Sequence, residues 1–322
     1  IEERLVPLPM PLCIIPNLAI HLTSPEDRKA FAVNSETNLR PVLCRPCGLA
    51  GKGAGGEEEK KDEKKLKHHE ELLQEIANAC GVAAERILDV DLCLMDATPP
   101  TLAGPYVSSP RIDNVLSTWA AIDAIAAFAE GGGLKESCDI ACAASFDHEE
   151  VGSTSATGAD SAVLGRWLDR CLAGLGAAPW DEVAARSFLL SCDCAHGLHP
   201  NYAEKHQAEH APLLGSGSVI KTNVNQRYAT TPLLAQMVRE LGRRSDTPIQ
   251  EFVVRNDCPC GSTIGPGLSS LLGVRAVDVG APQWSMHSCR ETTHVDDVVA
   301  LRTLCLGLFE HFRDVDNSAE CL

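Results

Sequence analysis

The sequence is poor in aromatic side chains, poor in basic ones, and without long unbroken apolar runs. Phe, Trp and Tyr make up 4% of the 322 residues against 44% apolar overall, so a core must be built mainly from Ala, Val, Leu and Ile. Lys and Arg number 28 against 44 Asp and Glu, a formal charge of −16. That balance gives no attraction toward nucleic acid or an anionic membrane surface, and neither is expected as a partner. It also works against capture of an acidic substrate, which would need a locally placed Lys or Arg. No apolar run reaches the ~18–20 residues that span a bilayer. The opening IEERLVPLPMPLC lacks the order of charged, apolar and small residues found in a secretory signal, and a cytoplasmic location is expected.

Cysteine is plentiful, at fifteen residues, but the number is odd and several sit inside apolar runs (Cys93, Cys138, Cys142, Cys305). They read as small buried hydrophobes of a reducing compartment. Cys44 and Cys47 form a CxxC with no second pair at zinc-ribbon spacing, and core packing is the simpler reading of the CxC pairs Cys192/Cys194 and Cys258/Cys260.

One segment stands apart. From Gly51 to about residue 67 the chain is Gly-rich and then densely charged, which predicts a disordered surface insertion whose neighbours His68 and His69 are solvated. A helical pattern follows over 66–79, stopped by Gly81, and then strand-like alternation over 87–96. The Pro- and Gly-rich DATPPTLAGP marks a boundary, dividing the chain into 1–102 and 103–322. Beyond it, helices are predicted over 112–130, 155–175, 231–243, 262–272 and 295–312, with strands over 139–146, 187–192, 218–224, 251–255 and 274–279. Thr231 is a candidate N-cap, with Pro232 at the first helical position. Strands alternating with amphipathic helices give an α/β domain with helices on both faces of its sheet.

The residues that carry chemistry lie where these strands end. Asp147-His148-Glu149-Glu150 follows one strand, Asp193-Cys194-Ala195-His196 a second, and a loop bearing His287 a third; Asp113 enters the long helix. In open α/β sheets, ligands and catalytic groups gather beyond the carboxyl ends of the strands. Any one of these acids alone is more simply a helix cap or a solvated turn; all of them together are not. A two-metal site needs a bridging carboxylate plus separate carboxylate and imidazole ligands, and Asp113, Glu150, Asp193 and His287 supply such a set. Glu149 and Glu150, pointing to opposite sides of extended backbone, allow one carboxylate to bind metal while the other takes a proton from water. Lys221 is the cation that a pocket for an acidic side chain would need, its alternative being an ordinary lysine on an edge strand.

The blocks LAIHL (18–22), PRIDN (110–114), FDHEEVGS (146–153), DCAHGLHPNY (193–202), VIKTNVNQRYAT (219–230), VRNDCPCGSTIGP (254–266) and APQWSMHSCRE (281–291) resemble, in order, those of the aspartyl aminopeptidase family, di-zinc metalloaminopeptidases. The resemblance implies a zinc-peptidase α/β catalytic domain at 103–322 with a mixed sheet. It implies that residues 1–102 are the C-terminal part of an inserted dimerisation domain. It implies two Zn2+ per subunit, with Asp113 bridging, Glu150 and His287 at one site and Asp193 at the other. Glu149 would be the general base, with His196, Lys221 and Tyr228 lining the substrate pocket beside Asp193. His21 would reach a neighbouring subunit's site within a homo-oligomeric dodecamer. The expected substrates are peptides with an N-terminal Asp or Glu. A further zinc ligand, the histidine of an early His-x-Asp segment in the family's catalytic domain, is expected upstream of this sequence. Two other readings stand beside this one: a catalytically impaired chain serving as an assembly subunit, and a related di-zinc amidohydrolase with another substrate.

Overall fold

The computed structural model describes residues 1–8, 11–43 and 68–319, so Cys44, Cys47 and the charged segment at 51–67 lie outside the described residues. The chain forms two compact units, Ile1–Ala97 and Thr98–Leu322.

The first unit holds short elements: β1 (Cys13–Ile14), α1 (Pro25–Lys29), α2 (Ser35–Asn38), β2 (Val42–Leu43) and α3 (Glu70–Cys80). β1 and β2 pair antiparallel. Ser24 and Asn34 cap α1 and α2 by accepting backbone N–H groups of the first turn. His69, expected to be merely solvated, caps α3: its Nδ1 accepts the Glu71 N–H at 3.3 Å. Leu73, Ile76 and Ala77 form the buried stripe of α3, and Gly81 ends it in the left-handed conformation, φ 67°. Residues 87–96 form no strand: despite the alternation of apolar residues, they join no ladder among the described residues.

The second unit runs β3 (Thr101–Ala103), β4 (Tyr106–Ser109), α4 (Ile112–Glu130), α5 (Gly133–Glu136), α6 (Val163–Leu175), α7 (Trp180–Ala184), β5 (Phe188–Cys192), β6 (Ala195–His196), β7 (Ser218–Thr222), α8 (Pro232–Arg244), β8 (Ile249–Val253), α9 (Ile264–Leu272), β9 (Arg275–Gly280), β10 (Pro282–Trp284), β11 (Glu291–His294) and α10 (Val295–Ala319). One mixed sheet has the order β5-β9-β7-β8, with β5 and β9 parallel, β7 and β8 parallel, and β9 antiparallel to β7. A second sheet, β3-β4-β11-β10-β6, continues from it through Ala281.

Helices cover both faces of the first sheet, as the alternation of strands and helices predicts. Phe188, Leu190, Ile220, Val277 and Val279 pack on one side against α4, α8 and α10. Leu189 and Val274 pack on the other against α6, α7 and α9. The period of two sorts neighbouring residues to opposite faces. Each fully buried Leu, such as Leu241, Leu301 or Leu304, contributes about 1.5–3 kcal/mol.

Four further expectations change. Residues 139–146 form no ladder, although exposure alternates along them: Cys138, Ile140, Cys142 and Ala144 face outward while Asp139, Ala141 and Ala143 are half-buried. A strand needs a neighbour for its N–H and C=O groups, and none pairs here among the described residues. For the same reason Cys138 and Cys142, like Cys93, are exposed, whereas Cys305 is buried as expected. The helix predicted from 155 starts at Val163, since Gly158 lies against the Ser153 backbone, where a side chain would clash, and 155–162 turns instead. Finally, α4 by length and composition is apolar enough to cross a bilayer. Leu116, Ala120, Ala124 and Phe128 instead bury one face of it in the core, and Asp123 accepts from Arg302 at 2.8 Å.

Candidate metal centre

Because β5 and β9 run parallel, their carboxyl ends share one edge. Asp193 follows β5 directly, and His287 lies three residues past β10, which extends β9. Glu149 and Glu150 stand on the tight turn Glu149–Val151. Asp113 sits in the first turn of α4, where its own backbone and that of Asn114 are not helical. The Asn114 side chain donates to the Cys192 carbonyl at 2.8 Å, tying the start of α4 to the end of β5. Arg111, His148, Ser285 and His287 take φ values of 59°, 62°, 60° and 64°. Side-chain-bearing residues seldom adopt this conformation, and here it concentrates around one site.

His287 Nε2 lies 3.2 Å from Asp113 Oδ2 and 3.2 Å from Glu150 Oε2. The three candidate ligand atoms are within 4.8 Å of one another. The Asp113 side chain is 6% exposed, and its Oδ1 has no hydrogen-bond partner among the described residues. An orphaned buried carboxylate oxygen beside a second carboxylate and an imidazole is a donor set that fits zinc. Burial, reinforced by Asp193, Glu150 and Glu291, pushes the Asp113 carboxyl up to about 9. Asp193 is not one of the three; it stands beside Asp113, and its Oδ2 accepts from Lys221 at 3.2 Å. Glu149 is half-buried and held above the usual carboxylate range, by burial first and then by the charges of Asp193 and Glu150. It is next to the cluster without being a member, the arrangement a proton acceptor requires.

Lys221 is not an exposed lysine on an edge strand. It lies on β7, between β9 and β8, and is 2% exposed. Its ammonium donates to Asp193 and to the Cys194 carbonyl, both at 3.2 Å, and sits 5.1 Å from the Tyr228 ring. Burial pulls the Lys221 ammonium down, but the charge and hydrogen bond of Asp193 together with the charge of Asp278 outweigh it and keep Lys221 above its ordinary range. Tyr228 is buried, and burial raises its hydroxyl, with the Cys260 thiol bonded to it. His196 is held below the ordinary imidazole range, by desolvation first and then by the Lys221 charge. The second unit thus gathers Asp113, Glu149, Glu150, Asp193, His196, Lys221, Tyr228 and His287. His21 belongs to the first unit, where it is exposed on the turn Ile20–Leu22.

Sequence reasoning missed Glu291. It is 2% exposed, and its two carboxylate oxygens accept the Asp113 N–H at 2.8 Å and the His287 N–H at 2.7 Å. One side chain therefore fixes the two loops that carry facing candidate ligands. The only sequence signal is an acid at an inward position of a Thr-rich strand, which does not announce such a role. Asp278 was missed as well. Fully buried on β9, it accepts from Ser191, Thr263 and the Ala229 N–H, and so holds the segment bearing Tyr228. Gly280 is required by close approach, since a Cβ there would overlap the Asp193 carbonyl oxygen.

The chain is similar to several known proteins. The chain is 39% identical over 323 residues to the aspartyl aminopeptidase of Caenorhabditis elegans, covering 98% of this chain and 68% of that protein. It is 39% identical to aspartyl aminopeptidase 1 of Schizosaccharomyces pombe, covering 95% of this chain and 65% of that protein. Among solved structures, a chain of an Ape4 and Nbr1 complex superposes with a TM-score of 0.88 at 38% identity, covering 97% of this chain and 60% of that one. The S. cerevisiae mApe1 dodecamer superposes at 0.73 and 26% identity, covering 96% and 65%. The chain thus spans roughly two thirds of the length of its relatives. The family model described as Aminopeptidase I zinc metalloprotease (M18) matches residues 1–309, and its zinc chemistry is what the Asp113, Glu150 and His287 cluster fits: the chain belongs to the M18 aminopeptidase family.

Proposed function

We propose that the chain works as a zinc aminopeptidase that releases N-terminal Asp or Glu from peptides, with Glu149 as general base. The observation that carries this reading is the cluster of Asp113, Glu150 and His287, with its orphaned Asp113 oxygen and Glu149 alongside. In this reading Asp113 would be shared by two zinc ions, Glu150 and His287 would help hold one of them, and Asp193 would help hold the other. Zinc supplies Lewis-acid chemistry, polarising the oxygen atoms it touches. Glu149, raised toward neutrality, removes a proton from the attacking water and returns it to the leaving amine nitrogen.

Kinship with aspartyl aminopeptidases supports the acidic preference, and so does a cation behind the site in a chain of charge −16. An ammonium has three N–H donors; Asp193 and Cys194 take two from Lys221, and the third is the candidate for a substrate carboxylate. His196 and Tyr228 would flank that carboxylate. Residues 1–102 would be part of an inserted dimerisation domain. Its exposed apolar residues Leu18, Ile20, Leu22 and Phe31 suit an oligomer interface, and His21 would reach a neighbouring subunit's site. The assembly would be a dodecamer, like that of S. cerevisiae mApe1, and the location cytoplasmic.

The test is metal content combined with hydrolysis of peptides beginning with Asp, Glu, Ala or Lys. Bound zinc and selective release of Asp and Glu are expected. Zinc without peptide cleavage would favour an assembly subunit, and cleavage without acidic preference a related amidohydrolase. Lys221→Met should reduce the ratio of kcat/KM for Asp- over Ala-terminated peptides, while zinc binding is kept, because the change frees the Asp193 carboxylate and removes a positive charge 3.2 Å from it.

A further inference from the structure

A cleft of about 310 Å³ opens next to the metal centre, lined among others by His196, Phe252, Arg255, Cys258, Gln283 and Met286. Met286 immediately precedes His287, and His196 lies within the electrostatic reach of Asp193, Lys221 and His287, so the cleft begins where the candidate ligands end. In a chain of charge −16, no Asp or Glu lines it among the described residues, whereas Lys205 and Arg255 do.

Its floor is unusual. Gln283 is 2% exposed, yet neither its Nε2 nor its Oε1 has a hydrogen-bond partner among the described residues. β10 pairs with β6 in the register Gln283↔His196, and paired residues project from the same face of a sheet. The Gln283 amide is therefore on the face of His196, whose ring lies 5.7 Å from that of Phe252 across the cleft. Thr293, opposite on β11, turns its hydroxyl to the Pro282 carbonyl at 2.9 Å. The wall is stiff: Trp284 donates to the Leu198 carbonyl at 2.8 Å and stacks on Tyr106. A buried primary amide with both its donor and its acceptor unmet costs stability. It is complementary to a peptide group, which offers one acceptor and one donor.

We propose that this cleft receives the part of the peptide that follows the scissile bond, with Gln283 hydrogen-bonding its backbone and Arg255 favouring a carboxylate on it. The proposal rests on the aminopeptidase reading, which places the scissile bond at the adjacent cluster. Asp257 holds Arg255 through Nε at 2.8 Å and Nη2 at 2.6 Å; a guanidinium carries five N–H donors, so the pair also orients the remaining ones. The carboxylate has two possible sources, an acidic side chain on the second residue or the C-terminus of a dipeptide.

The experiment uses the zinc-loaded full chain carrying Glu149→Gln, so that peptides bind without turnover, and measures Kd calorimetrically. Asp-Glu-amide against Asp-Gln-amide reads the side-chain source; Asp-Ala with a free carboxylate against Asp-Ala-amide reads the terminal one. In at least one pair the carboxylate form should bind about tenfold tighter, or ~1.4 kcal/mol, and adding Arg255→Gln should erase that gap. Adding Gln283→Leu should weaken all four peptides about five- to tenfold while raising Tm, since it removes an unmet buried amide. A residue that only filled space would not move affinity and stability in opposite directions. Equal affinities within both pairs, or unchanged affinities in the Gln283→Leu variant, would overturn the proposal while leaving the aminopeptidase reading intact. No binding of any Asp-terminated peptide would overturn both.

Discussion

Asp113 concentrates the chemistry of the site into one side chain. It is buried, crowded by Asp193, Glu150 and Glu291, and pushed up to about 9, so the metal-free chain holds it protonated at neutral pH. Because the folded value lies above the ordinary one, its contribution to stability is present below the usual carboxylate range and is lost as pH rises through about 9. A metal ion needs the deprotonated ligand and must displace that proton. Zinc binding at pH 7 should therefore release close to one proton per chain, and affinity should climb with pH up to about 9. Calorimetry in buffers of different ionisation enthalpy measures the release, and a value near zero would remove Asp113 from the ligand set. Glu291 has the complementary task of aiming two ligands through their backbone N–H groups. Glu291→Gln keeps one acceptor and turns an NH2 toward the other N–H. Zinc affinity measured against a competing chelator should fall about 10–100-fold, the usual loss when an outer-shell partner is removed. Unchanged affinity would reduce Glu291 to a packing residue.

At the level of elements, the site is an edge effect of β5 and β9 running side by side. That edge was legible in the sequence, because strand, acid and helix recur in order and the inward apolar positions of 187–192 and 274–279 keep a period of two. The helices after Thr231, Ser262 and Val295 were legible for the same reason, with Pro232 and Gly273 marking a start and a stop. What was not legible was pairing. Residues 87–96 and 139–146 have the alternation of strands but join no ladder among the described residues, whereas β3, β10 and β6 are two or three residues long and are strands only because neighbours pair with them. Alternation reports a half-buried extended segment, and hydrogen-bonding neighbours decide whether it joins a sheet. Lys221 shows the same limit at the site. Its charge was visible, but its burial between β9 and β8 and its bond to Asp193 depend on register. One close approach tests the β5–β9 edge directly. Gly280→Ala would drive a methyl into the Asp193 carbonyl and should destabilise the chain by ~2 kcal/mol in urea titration, in the range for overpacking. A stability equal to that of the parent chain would mean that β9 has room to retreat.

At the scale of the whole molecule, the second unit contains the clustered candidate ligands, the proposed proton acceptor and the adjoining cleft, and the first would contribute His21 in the proposed assembly. Membership of the M18 family rests on a match over residues 1–309 and on relatives about 40% identical across nearly the full length of this chain. The proposed mechanism goes further and divides the labour: Glu149 moves the proton, and the residues that hold metal do not. Turnover of an Asp-terminated peptide by zinc-loaded parent and Glu149→Gln chains, compared at equal zinc content, tests that division. The expected result is the same zinc content and a kcat lower by about 100-fold or more, the scale on which a positioned base acts. Equal turnover in the two chains would contradict it.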